Sequence, residues 1–244
     1  TIAPRDPRAC AQERRAPRPR KSQGSRLSHR LAALLGRRTV LRGGQQAAPI
    51  TIGFYQAESD ESAGALLRHV GQLDWVAPTL MTIDHGGRLT VTDDAPLRRI
   101  VAGSIHRPLV VPVLQNVSPS GWDGAGTASV LANPARRAGL VKAIDAALDT
   151  SGDAGVMIDF ENLPDAGLPA LRQFAADLHA RLASKHRLVA ITLPVDNPAW
   201  SPRIFAAVTD KVVLMAYDEH WQGGEAGPIA SNGWFVDHVT DALK

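Results

Sequence analysis

The sequence predicts an α/β domain of repeated strand–helix units, on three observations. From Pro49 onward, apolar β-branched runs alternate with Ala/Leu/Arg stretches of helical period. Each apolar run exits into a polar patch. The fourth run, Gly155 to Asn162 (GVMIDFEN), ends by pushing two carboxylates out of an otherwise buried strand. Strands alternating with helices imply a parallel sheet, either doubly wound or closed as a (β/α)8 barrel. No GxGxxG follows an early strand, which takes away the usual support for a dinucleotide-binding doubly wound sheet.

Taken in order, residues 1–48 read as a disordered basic tail and 49–244 as the folded domain. Residues 1–43 hold 12 Lys/Arg and 2 Asp/Glu, a balance of +10; the remainder holds 15 and 22, a balance of −7, giving the net +3. The tail is rich in Arg, Pro and Ser and lacks apolar periodicity before Leu27, the profile of a chain that cannot bury a core. It suits an anionic lipid or nucleic acid, the flank of a targeting signal, or a plain solvated extension. The acidic body is a poor match for nucleic acid, whose phosphates need a basic surface. The lone Cys10 excludes an internal disulfide and any multi-cysteine metal site. No apolar run approaches the ~20 residues of a membrane-spanning helix.

Strands are expected at Ile50–Gln56, Trp75–Asp84, Leu109–Asn116, Gly155–Glu161, Leu188–Val195 and Lys211–Tyr217. Helices are expected near Glu61–Leu73, Ala95–Ala102, Asn133–Thr150, Leu168–Lys185 and Pro202–Val208. Asn133-Pro134 has the cap-then-proline order that starts a helix, and Ser151-Gly152-Asp153 supplies the turn after it. Six units are present where a closed barrel needs eight. With Thr1 in place of Met, this leads us to expect further chain beyond both ends.

A barrel gathers function at the C-terminal ends of its strands. Those exits carry Gln56, Asp84-His85, Gln115-Asn116, Asp159-Phe160-Glu161, Asp196-Asn197 and Tyr217-Asp218-Glu219-His220. Strand side chains alternate faces, so Met157, Asp159 and Glu161 point one way while Val156, Ile158 and Phe160 point the other. Carboxylates at i and i+2 on one face crowd like charges, which raises at least one pKa and can leave an acid protonated at neutral pH. Trp122, Trp200 and Trp221 each follow a strand exit, and aromatic faces bind the apolar faces of sugar rings. Tyr217 adds a phenol that can donate to developing charge.

With those residues in view, the chain resembles glycoside hydrolase family 18, the chitinase-like (β/α)8 barrels. The family's DGxDxDxE motif aligns on Ala154 through Glu161, and its MxYD motif on Met215 through Asp218. The fuller runs, IDFENL and Met215 to Ala230, are similar to a bacterial branch joined to polysaccharide deacetylase and family 2 glycosyltransferase domains. The resemblance implies a (β/α)8 TIM barrel acting on a β-linked N-acetylhexosamine polymer in the cell envelope or outside the cytoplasm. Glu161 then matches the general acid, Asp159 the residue that orients the substrate's N-acetyl group, and Tyr217 the hydroxyl supporting its carbonyl. The acetamido oxygen supplies the nucleophile, the substrate-assisted exception to two-carboxylate hydrolysis. Asp218, Gln115, Asn116, Trp122, Trp200, Trp221 and Gln56 are expected to line the sugar subsites. The resemblance implies no metal or cofactor.

Two positions depart from the motif. Ala154 and Met157 stand where family members carry the first two aspartates, and Met157 removes the acid that shares a proton with Asp159. This favours a second reading, a barrel that keeps the sugar groove without turnover. Deacetylase chemistry within this segment fails, because the eight histidines show no HxxH or HExxH spacing. No GxSxG elbow supports a serine nucleophile.

Overall fold

The computed structural model describes residues 49–221 and 223–244; the basic tail read from the sequence lies outside them. The chain opens with β1 (Ile52–Tyr55), α1 (Asp60–His69) and β2 (Trp75–Pro78), then the antiparallel pair β3 (Met81–Ile83) and β4 (Leu89–Val91). Next come α2 (Ala95–Gly103), β5 (Leu109–Val110), β6 (Val113–Gln115) and a short hairpin of β7 (Val117–Ser118) and β8 (Gly121–Trp122). Two helices, α3 (Gly124–Ala132) and α4 (Pro134–Ser151), lead to β9 (Gly155–Asp159), α5 (Leu168–Ala183) and β10 (Leu188–Pro194). The described elements finish with α6 (Pro202–Ala206), β11 (Lys211–Met215) and α7 (Asn232–Ala242).

All six expected strands are present and lie side by side in chain order, each pairing parallel with the next. Sequential parallel strands with helices between them are the arrangement of a TIM barrel. Two of the expected strands are interrupted. The second divides after Pro78 into β2 and β3, and the third divides at Val111-Pro112 into β5 and β6. Proline lacks the N–H that a ladder needs, but the Pro112 carbonyl still accepts from Met157 N at 2.8 Å, so the sheet holds across the break.

Alternation along these strands builds two apolar layers. Val156, Ile158 and Phe160 face the helices, where they meet Leu171, Phe174, Leu178 and Leu182 of α5, all fully buried. Spacings of three, four and four put those four residues on one stripe, each worth about 1.5–3 kcal/mol when buried. The other face points into the barrel, where Met157 packs with Trp75, Ala77, Val111, Val113 and Ala190.

The expected caps are in place. Asn133 Oδ1 accepts from the Ala135 and Arg136 amides ahead of Pro134, and Gly152 at φ 71° closes α4 in the left-handed region. The helix expected over Glu61–Leu73 stops at His69 and tightens into a 3-10 turn, Val70–Gln72. The sequence reading missed α3, whose GAGTASVLA composition resembles a loop. It forms because Asp123 caps it, accepting from Gly126 N at 2.9 Å, and because its Val130 and Leu131 are wholly buried.

Candidate active site

The site assembles where β6, β9, β10 and β11 end. On β9, Asp159 follows Met157 on the inward face, and only 9% of its surface is exposed. Its neighbour in register on β6 is Gln115, whose Nε2 donates to Asp159 Oδ2 at 2.9 Å. On the other side, Thr192 of β10 donates from Oγ1 to Asp159 Oδ1 at 2.6 Å. A buried carboxylate with a donor on each oxygen is satisfied without a cation.

Glu161 lies just beyond the end of β9, where the sheet ladder stops. Its backbone is held instead by the side chain of Asn116, which is 1% exposed. Glu161 N donates to Asn116 Oδ1 at 3.0 Å, and Asn116 Nδ2 donates to the Glu161 carbonyl at 2.9 Å. The amide thus acts as an artificial rung. Consecutive residues at the exit of β6 therefore hold the two acids, Gln115 the first and Asn116 the second.

The next residue, Asn162, adopts the left-handed region at φ 57°, and Asp218 does so at φ 70°. Asn and Asp tolerate that conformation better than other side chains, and both residues flank the site. Gly124, the first residue of α3, braces the loop. A Cβ there would stand 1.7 Å from the Asn162 carbonyl oxygen, so only glycine lets the helix approach.

Electrostatics act on the second acid. Burial, then the charges of Asp159 and Asp218, push the Glu161 carboxyl above its ordinary value. Tyr217, 49% exposed, is also raised, by partial burial and then by Asp159, Asp218 and Glu161. A carboxyl so raised keeps its proton where a solvated glutamate has lost it, and can deliver that proton to a leaving oxygen.

Other expected site residues fall out differently. Trp200 is a correction: it is 5% exposed and stacks on Phe205 with ring centroids 6.2 Å apart, so it is core and offers no face to a sugar. Asn116 is a second, since its buried amide is committed to the Glu161 backbone. Gln115 spends one N–H of its amide on Asp159. Trp221 is 64% exposed after β11, Trp122 is half-buried on β8, and Gln56 is exposed after β1, all at strand exits. Thr192 was not anticipated, although counting alternate residues along β10 from Ala190 would have placed it inward. An exposed His85–Asp123 pair, 2.8 Å apart, was also missed. Among the described residues no group of three or more His, Cys, Asp or Glu is arranged to hold a metal ion.

No protein-family model matches the chain. Over 132 residues it is 32% identical to YdhD of Bacillus subtilis, described as a sporulation-specific glycosylase, covering 51% of this chain and 31% of the relative. Its fold is similar to that of a chitinase from Chromobacterium violaceum, with a TM-score of 0.71 at 20% identity over 80% of this chain and 64% of that one. The spore cortex-lytic enzyme SleL of Bacillus cereus is similar with a TM-score of 0.69 at 19% identity, over 83% and 49% respectively. The chain thus spans less than a third of the curated relative and about half to two thirds of these structures. In fold this chain is similar to the chitinase barrels, the architecture expected from the resemblance carried by its two strand-end motifs.

Proposed function

We propose that this barrel hydrolyses a β-linked N-acetylhexosamine polysaccharide of the envelope or of exported material, with retention and with the substrate's own acetamido oxygen as nucleophile. The observation that carries the reading is the environment of Glu161, a carboxyl raised by burial and by two neighbouring acids at the mouth of a barrel. Relatives named as chitinases and as a spore cortex-lytic enzyme point to the same class of polymer.

In this reading Glu161 protonates the glycosidic oxygen as the bond to the anomeric carbon breaks. The acetamido carbonyl oxygen closes onto that carbon, giving a bicyclic oxazolinium. Asp159 accepts from the acetamido N–H, and the Tyr217 hydroxyl donates to the carbonyl oxygen. Glu161, now ionised, takes a proton from the water that reopens the ring, which restores both enzyme and configuration. Asp218, Trp122 and Trp221 line the groove. The branch that the sequence resembles further suggests a polymer also handled by deacetylase and glycosyltransferase domains.

The assay is release of N-acetylglucosamine oligomers, comparing the chain with its Glu161→Gln variant. Turnover that vanishes in the variant while oligomer binding persists supports the reading. Tyr217→Phe is expected to lower kcat more than it raises KM, because its hydroxyl acts mainly in the transition state. The second reading, a binding barrel without turnover, draws on Met157. It gains if oligomers bind and neither protein cleaves them.

A further inference from the structure

Asp159 is gripped from both neighbouring strands by uncharged donors. The side chain beneath it on the same face of β9 is Met157, wholly buried in the apolar interior. Among the described residues, the side chains that hydrogen-bond the Asp159 carboxylate are uncharged ones from the neighbouring strands. The load falls on Gln115 of β6 and Thr192 of β10.

Thr192 is 4% exposed, and its hydroxyl has one proton with two acceptors in reach: Asp159 Oδ1 at 2.6 Å and the Ile158 carbonyl at 3.3 Å. The shorter bond, to the carboxylate, takes the proton. A β-branched side chain on a strand is stiff about χ1, so the hydroxyl is aimed before any ligand arrives. Gln115 completes the grip on the other oxygen and fixes the carboxylate plane.

We propose that Thr192 is a positioning residue which, together with Gln115, clamps the Asp159 carboxylate in a single orientation. Its kinetic consequence rests on the hydrolase reading above. Without the hydroxyl, one oxygen of a nine-tenths buried carboxylate has no partner. Asp159 then turns to find one, and its other oxygen leaves the place where the substrate amide must dock.

The test compares Thr192→Val, which keeps the shape and loses the donor, with Thr192→Ser, which keeps the donor. Two readouts run in parallel: turnover of N-acetylglucosamine oligomers, and the carboxyl carbon resonance of Asp159 in ¹³C-aspartate-labelled protein, assigned with Asp159→Asn. Thr192→Val should lower kcat by about 10- to 100-fold with KM changed by less than about threefold, the signature of lost transition-state placement. Thr192→Ser should return kcat to within about fivefold of the parent. The Asp159 resonance should move in the valine variant and return in the serine variant.

An unmoved resonance overturns the clamp, and so does a valine variant of undiminished kcat. If the parent chain cleaves no oligomer, the hydrolase reading fails on its own, and the resonance still decides the clamp. Should the valine variant not fold, Gln115→Leu, which removes the opposite donor, carries the same pair of measurements.

Discussion

Replacing Asn116 with leucine removes the artificial rung that holds the backbone of Glu161. Leucine matches asparagine in shape and neither donates nor accepts, so two bonds, at 2.9 and 3.0 Å, are lost together. The Glu161 N–H and C=O are then left without partners, at about 1–3 kcal/mol for each buried group. Glu161 is only half-buried and its loop can relax toward water, which puts the expected loss at about 2–4 kcal/mol, the lower part of the summed range. Urea unfolding should show the midpoint falling with an unchanged m value, the mark of lost stability without a change in the surface exposed. Turnover of N-acetylglucosamine oligomers should drop about 100-fold, because the acid is no longer held within reach of the leaving oxygen. Asn116→Asp should fare no better, since it sets a second carboxylate oxygen against the Glu161 carbonyl. A leucine variant within about 0.5 kcal/mol of the parent, the range of an ordinary surface change, would refute the assignment of Asn116 as the support of Glu161.

Three further outcomes follow from the same geometry. The Glu161 carboxyl is raised in the folded state above the ordinary 4.5, so its stabilising contribution is full below that pH and is lost as pH climbs through the raised value. Glu161→Gln should therefore melt higher than the parent at neutral pH and converge with it in acid, and a constant gap across pH would contradict the shift; activity should fall along the same alkaline limb. Gly124→Ala should unsettle the loop after Glu161, since its Cβ would stand 1.7 Å from a backbone oxygen, with a loss of about 1–3 kcal/mol by thermal unfolding and reduced turnover. Trp200→Ala should cost about 3–5 kcal/mol as a core truncation, whereas Trp221→Ala should leave unfolding nearly unchanged and weaken oligomer binding in calorimetry.

The strands and the acid pair were legible in the sequence because both depend on local pattern. A short run such as VMIDF, bounded by Gly155 and a polar exit, reads as a buried strand, and period-two alternation put Asp159 and Glu161 on one face before any neighbour was known. What escaped depends on pairing between strands distant in sequence. That Gln115 and Thr192 meet Asp159 follows from the register of β6 and β10 on β9, separations of 44 and 33 residues, which no local pattern encodes. Trp200 misled for the converse reason. Its place after a strand suggested exposure, but Phe205 of α6 stacks against it and it is buried. Helix α3 was hidden by its glycines and small residues, of which Gly124 permits the close approach to the loop at Asn162 and Gly126 the approach to His85.

The apolar floor beneath Asp159 also bears on proton traffic. Met157, Val113, Ala190 and Trp75 carry nothing that relays a proton through the barrel interior. The water that recharges Glu161 therefore finds no polar path among these side chains and enters by the mouth. In the proposed reaction that water both reopens the ring and recharges Glu161, so solvent deuterium should slow ring opening and recharging of the acid as one event.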